Sequence, residues 1–149
     1  MVDLDYYHPW YHDSLQWHKA LGVIIMTIML LRFIWNRLQA KPKPLQTDHL
    51  LQNRLATLGH WSLYLLIFAL GISGYLISTA KGQGIDIFSF FELPALLPDN
   101  AERGELAGKI HEVIAISFIG LVIIHALAAF IHHFYYKDNT LKRMLGRTS

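Results

Sequence analysis

The segment that decides the fold runs from His111 to Tyr136 and reads HEVIAISFIGLVIIHALAAFIHHFYY. From Val113 onwards it contains no Lys, Arg, Asp or Glu, yet His125 stands in the middle of its apolar run. About 20 apolar residues suffice for an α-helix to cross the hydrocarbon core of a bilayer. The segment is therefore predicted to span a membrane. Its central histidine is a candidate functional residue, because ionisable groups are costly at that depth.

Two further apolar segments precede this one. Gly59–Thr79 carries no formal charge, and Ala20–Trp35 is interrupted only by Arg32. We therefore predict an all-α fold, a transmembrane helix bundle, in a single domain that covers residues 1–149. Its predicted parts are spans at about residues 18–36, 56–79 and 111–136, an outer loop at 80–110 and a cytosolic tail at 137–149.

The composition supports a membrane protein and excludes several chemistries. The chain is 53% hydrophobic and only 16% charged, whereas a soluble domain is about 25% charged. Its net charge of +2 predicts no nucleic-acid partner. With no cysteine, disulfides, Cys-ligated zinc, iron–sulfur clusters and covalently attached haem are all excluded. Any metal chemistry must therefore rest on the nine histidines.

The distribution of charge predicts the orientation. Basic residues prevail between the first two spans and after the last one, so both regions should be cytosolic. They are Arg37, Lys41, Lys43, Arg54, Lys137, Lys142, Arg143 and Arg147. The loop at 80–110 is acidic and should lie outside, as should the N-terminal segment. The C-terminus is then cytoplasmic.

This topology has an odd number of spans. A chain with three spans and an external N-terminus lacks an ordinary start signal. A further span before Met1 would complete an even, up-down bundle of four helices. We therefore expect that the three spans belong to a four-helix haem-binding bundle whose first helix is missing here.

Two histidines stand at the outer ends of spans that run in the same direction. His18 opens the first span and His111 the third, so neighbouring helices would hold both imidazoles at one depth, able to bind one iron from opposite sides. A small residue follows each histidine by four positions, Gly22 and Ala115, which leaves room for a porphyrin one turn deeper. The alternative is that both histidines are hydrogen-bonding residues at the membrane interface.

A second level of histidines is predicted deeper in the bundle. His125 follows His111 by 14 residues on nearly the same helix face, about 21 Å further along the axis. It is either a second haem ligand or a buried histidine bonded to a neighbouring helix. His60 opens the second span at the cytosolic side. It is an interface residue, a donor to a haem propionate or a quinone carbonyl, or the ligand opposite His125.

The pairing favours haem over other metals. Zinc or copper needs three or four ligands close together, whereas these histidines come as pairs separated along the bundle axis. Two axial imidazoles are what a b-type haem requires, and they leave no open coordination position for oxygen. His132 and His133 are expected to reach the interface, and the remaining histidines are expected to be solvated; these are His8, His12 and His49.

Several stretches together resemble the bacterial cytochrome b561 family, four-helix di-haem proteins of the inner membrane. They are HKALG at 18–22, LGHWSLY at 58–64, His111-Glu112, His125, and HHFYYKDNTLKRM at 132–144. The resemblance covers family helices two to four. It implies that His18 and His111 ligate the iron of the outer haem b, and that His125 ligates the inner haem with a histidine from family helix one. This chain would then hold one complete site.

The resemblance also implies a reaction. Such proteins act as superoxide oxidases, which pass an electron from superoxide by haem to ubiquinone. Lys19, Lys81 and Lys109 are candidates for steering superoxide towards the outer haem. The expected partners are membrane lipid, ubiquinone and superoxide. Two alternatives stay open: a cytochrome b subunit that links quinone to a partner dehydrogenase, and a non-redox membrane scaffold with structural histidines.

Overall fold

The computed structural model of the protein describes residues 9–39 and 50–135, except for the side chains of residues 50–53 and 132–133. Three long helices account for most of these residues, and a small β-hairpin lies between the second and the third. The elements are α1 (Pro9–Leu38), α2 (Leu50–Ser78), β1 (Ile85–Ile87), β2 (Phe91–Leu93) and α3 (Ala101–Phe134).

Each of the three helices is long and apolar enough to cross a membrane. The qualifying segments are Pro9–Leu38, Arg54–Ser78 and Ala101–Ile131. The predicted all-α bundle of membrane spans is therefore confirmed. Since α3 begins at Ala101, its first turns precede the span predicted at 111–136.

Large apolar side chains cover the outside of the bundle and small ones fill its interior. Leu65, Ile72 and Ile124 are among many exposed large hydrophobic residues. Among the described residues, the buried apolar ones are mostly alanines, such as Ala20 and Ala107. Lipid tails are as apolar as leucine, so membrane helices gain little by burying large side chains and associate through small residues that allow close approach. Lipid is thus the partner of this surface.

A closely packed connection joins α2 to α3, and the two helices lie side by side in opposite directions. The Asn100 amide donates to the Ala80 carbonyl at 2.8 Å. The Asn100 side chain caps α3 by accepting from the Arg103 amide at 2.8 Å, which satisfies one of the donors left open at a helix start. A Cβ at Gly104 would lie 2.5 Å from the Ala80 Cβ, so glycine permits the close approach.

The loop predicted at 80–110 contains the antiparallel hairpin, with Ile85 opposite Leu93 and Ile87 opposite Phe91. The Phe90 amide donates to the Ile87 carbonyl at 3.1 Å and closes the turn. Within this turn Phe88 and Ser89 have φ values of 52° and 61°. Both central residues are thus left-handed, as a tight hairpin turn demands. This conformation costs energy for residues other than glycine.

The hairpin docks against the start of α1. The Trp17 and Phe88 rings meet edge to face with centroids 4.8 Å apart. The Gln16 Nε2 donates to the Asp86 carboxylate at 3.2 Å. These contacts hold the first turns of α1 at the end of the bundle where α3 begins, which we call the hairpin end.

Candidate functional site

His18 and His111 face each other at the hairpin end. Their ring centroids lie 6.2 Å apart and the ring planes are inclined at 82°. A ring nitrogen binds a first-row metal at about 2 Å, so two imidazoles on opposite sides of one iron have centroids roughly 6 Å apart. The pair therefore fits a single six-coordinate iron. The sequence analysis predicted that these two imidazoles lie close together at one depth in the membrane. That they ligate an iron stays a prediction.

A serine on α2 orients the His111 ring. The buried Ser73 hydroxyl lies 2.9 Å from His111 Nδ1 and donates to the Ala69 carbonyl of its own helix at 2.8 Å. With that hydrogen directed to the helix carbonyl, the hydroxyl can accept from Nδ1–H in the tautomer of His111 that carries its proton on Nδ1. The lone pair of the ring then lies on Nε2, the nitrogen left for a metal. Such partners hold ligating histidines in one tautomer and orientation.

Two glycines of α2 lie opposite the two histidines of α3. A Cβ at Gly74 would stand 3.4 Å from His111 Cε1, and one at Gly59 would stand 4.0 Å from His125 Nδ1. The glycines are separated along α2 by nearly the same distance as the histidines along α3. Helix α2 therefore makes room for an imidazole at both levels. From the sequence, these glycines were expected to allow close helix approach or to leave room beside a macrocycle. Their position opposite the two histidines was not predicted, nor was the contact of Ser73 with His111; the matched spacing was the available signal.

His60 and His125 form a second pair, away from the hairpin end. Their ring centroids lie 5.1 Å apart at an interplanar angle of 64°. Two axial ligands of one iron need roughly 6 Å between centroids, so these rings are in direct contact and would have to separate by about 1 Å to admit an iron. The structure thus brings together the two histidines that the sequence considered as possible partners.

The remaining space around the first pair also suits a large planar group. A Cβ at Gly22, one turn from His18, would meet no atom within 4 Å. Within the described residues, His, Asp and Glu side chains do not gather in groups of three or more. Paired imidazoles beside open space match the donor set of a b-type haem better than that of zinc.

The three candidate lysines differ in their surroundings. Lys109 Nζ forms an exposed ion pair with Glu105 at 2.8 Å. Lys81 is exposed just beyond the end of α2, and Lys19 is partly buried on α1, next in sequence to His18. The charge of Lys109 is therefore partly compensated.

A lateral cleft lies between the end of α1 and the part of α2 around Trp61. Its volume is about 180 Å³, and it is lined by Phe33, Asn36, Arg37, His60, Trp61 and Tyr64. His60 thus belongs both to this cleft and to the second histidine pair.

Histidines paired at two levels of an apolar helix bundle are the arrangement expected of a membrane cytochrome b. A family model described as prokaryotic cytochrome b561 matches residues 1–147, and the chain belongs to this family. It is accordingly a multi-pass protein of the inner membrane that binds haem b and transfers electrons.

Three relatives are similar over most of their length. Cytochrome b561 homolog 2 of Escherichia coli (strain K12) is 44% identical over all of this chain and 79% of its own length. Probable superoxide oxidase CybB of Yersinia pestis is 31% identical over 95% of this chain and 78% of its own. Cytochrome b561 homolog 1 of Escherichia coli (strain K12) is 32% identical over 87% of this chain and 73% of its own length.

Proposed function

We propose that the protein is a superoxide oxidase, which transfers electrons from superoxide through haem b to ubiquinone. The observation that carries this proposal is the 6.2 Å separation of the His18 and His111 rings at one end of the bundle. A relative that is 31% identical bears the name probable superoxide oxidase, which supports the same chemistry.

In this proposal His18 and His111 hold the outer haem b. Ser73 keeps His111 Nε2 directed at the iron, and the open space at Gly22 receives part of the macrocycle. When bound, the haem supplies reversible one-electron chemistry. With His18 and His111 as its two ligands, the iron would have no free position, so haem held here would take an electron from superoxide without binding it.

His125 is proposed as a ligand at a second, inner level. Its partner is either His60, which touches it, or a histidine from outside the described helices. The two levels lie about 21 Å apart along α3, so an electron that enters at the hairpin end can cross much of the bilayer.

The proposed orientation places the hairpin end outside and the C-terminus in the cytoplasm. Arg37 and Arg54 lie at the end of the bundle away from the hairpin, and the acidic residues of the loop lie at the hairpin end. An excess of Lys and Arg marks the cytoplasmic side of membrane proteins. Superoxide would then be oxidised outside, where Lys19 and Lys81 can attract it.

The overall reaction balances for one quinone. Two superoxide anions become two O₂ and release two electrons. Ubiquinone takes up these two electrons and two protons to become ubiquinol. No atom other than the protons changes partner, so the protein needs only to hold the redox groups and deliver protons to the quinone.

The test combines haem content with reduction by superoxide. In mild detergent, the wild-type protein should carry haem b and be reduced when superoxide is generated enzymatically. His111→Leu should lose one haem per polypeptide by pyridine haemochrome and lose at least about tenfold in the rate of reduction, because one axial bond is removed. His12→Leu, an exposed histidine of α1, is the matched control and should retain both properties.

Three results would contradict this assignment. They are a colourless wild-type protein, a His111→Leu variant with unchanged haem content, and haem that superoxide does not reduce. A haem protein that is reduced only by a co-purifying dehydrogenase would point instead to an electron-transfer subunit.

A further inference from the structure

One formally charged residue, Arg32, stands within the three apolar segments of the chain, at 20–35, 59–79 and 113–136. It belongs to the membrane-spanning segment Pro9–Leu38, and its side chain is exposed. A cation at this depth is costly, and residues of this kind bind partners or mark functional sites. The roles proposed so far leave this arginine unused.

The spacing along the helices places Arg32 at the level of the inner histidines. Arg32 follows His18 by 14 residues on α1, as His125 follows His111 on α3. Both helices run inwards from the hairpin end, where the His18 and His111 rings lie 6.2 Å apart. Fourteen residues advance each helix by about 21 Å and return it to within about 40° of the same face. Arg32 therefore reaches the depth of His125, on the side of α1 that carries His18.

The surroundings of Arg32 agree with this placement. Arg32 lies within electrostatic range of the His60 ring, and the His60 and His125 ring centroids are 5.1 Å apart. Helix α1 packs against α2 and the hairpin but much less against α3, which leaves space between α1 and α3. A large group held by the second histidine pair would therefore have Arg32 beside it.

The described spans provide no carboxylate for Arg32 at this depth. The three apolar segments contain no Asp or Glu. Among the described residues, the ion pair of Lys109 with Glu105 lies at the other end of the bundle. A guanidinium binds a carboxylate through two parallel N–H···O bonds. Haem b carries two propionate carboxylates on one edge, and these are the anions that haem binding at His125 would supply.

We propose that Arg32 binds a propionate of the inner haem b. The inference rests on the proposed function, which assigns that haem to His125. The histidine would hold the iron, whereas Arg32 would fix the rotation of the macrocycle about the iron by binding its edge. The positive charge also favours the ferrous form of the haem, which carries one positive charge fewer than the ferric form. Arg32 thus raises the reduction potential of the inner haem and favours electron transfer to it.

The test measures the haem itself. The wild type and Arg32→Gln are titrated potentiometrically in mild detergent, and His125→Leu identifies the inner haem as the component that it removes. In Arg32→Gln the equilibrium constant for reduction of the inner haem should fall by about tenfold, which lowers its potential by about 59 mV. A unit charge roughly 10 Å away has an effect of this size at an effective dielectric constant of about 20. The resonance Raman band of the propionate bend should shift as well.

Two further variants separate charge from binding. Arg32→Lys keeps the positive charge but lacks the planar fork of the guanidinium, so the potential should stay near the wild-type value while the propionate band shifts. If Arg32→Gln loses the inner haem, Arg32→Lys should restore it. Arg54→Gln is the matched control, because Arg54 is an exposed arginine near the start of α2. It should leave the potential and the propionate band unchanged.

The outcomes distinguish this inference from the proposed function. An unchanged propionate band in Arg32→Gln overturns it, even with a lowered potential, because Arg32 would then act through space and bind another anion, such as a lipid phosphate. A wild-type protein from which His125→Leu removes no haem component also overturns it. Haem that superoxide fails to reduce would contradict the proposed function alone, since none of these measurements uses superoxide.

Discussion

At the scale of single residues, one hydrogen bond determines how His111 is presented. Ser73 Oγ lies 2.9 Å from His111 Nδ1, and in the tautomer with the proton on Nδ1 it accepts from that N–H and leaves Nε2 as the basic nitrogen. A hydrogen bond of this kind raises the electron donation of an imidazole to its metal. It should therefore favour the ferric over the ferrous haem. Ser73 is a positioning residue, since it acts only through the histidine.

Ser73→Ala should accordingly raise the reduction potential of the outer haem. A net hydrogen bond is worth about 1 kcal/mol, which corresponds to about 40 mV for a one-electron couple. Redox titration followed by optical spectroscopy measures the shift, and the ferric EPR spectrum reports the altered ligand field. Ser117→Ala is the control, because Ser117 Oγ donates only to the Val113 carbonyl at 2.8 Å, within α3. Equal reduction potentials in the two variants would show that Ser73 does not influence the outer haem.

At the scale of elements, the hairpin holds α1 in place at the cost of backbone strain. Phe88 has a left-handed conformation, and its ring packs against Trp17, the residue before His18. Ser89 has the same conformation, at φ 61°, and its side chain is exposed. A left-handed residue other than glycine costs about 1–2 kcal/mol. The strain at Ser89 can therefore be removed without touching the contact.

Ser89→Gly should stabilise the hairpin by about 1 kcal/mol. Hydrogen exchange at the Phe90 amide, which closes the turn on the Ile87 carbonyl, should slow by about fivefold if the hairpin opens as a unit. Gly82→Ala is the opposite change, because Gly82 has φ 70°, and it should accelerate local exchange. Faster exchange in Ser89→Gly would contradict this prediction, because it would show that the serine stabilises the hairpin by more than its backbone strain costs.

The elements also show how far the sequence could predict this fold. Hydropathy alone located the three membrane helices, because the cost of placing polar groups in lipid is large and local. The common depth of His18 and His111 followed from helix direction. The sequence did not predict the rotation of α2 about its axis, that is, which of its sides faces the other helices. A helix surrounded by lipid and small residues has no distinct apolar face that would indicate it. Ser73, Gly74 and Gly59 depend on that rotation, so their roles appear only in the structure.

At the scale of the whole molecule, charge is distributed unequally between the two ends of the bundle. The hairpin end carries acidic residues around a few lysines, which works against the approach of an anion. Lys109 is paired with Glu105 at 2.8 Å, and both side chains are exposed. An exposed pair of this kind adds little stability. It sets the local potential near His111, two residues further along α3, and so bears on the rate at which superoxide arrives.

Two substitutions in this pair should change that rate in opposite directions. Glu105→Gln leaves the Lys109 charge uncompensated and should accelerate haem reduction by superoxide, whereas Lys109→Glu should slow it, each by roughly threefold at low ionic strength. Both effects should shrink at about 0.15 M salt, where the screening length falls to about 8 Å. Arg54→Glu, at the opposite end of α2, is the control and should leave the rate unchanged. If Lys109→Glu and Arg54→Glu behave alike, the rate follows net charge rather than the field at the hairpin end, and local steering of superoxide there is ruled out.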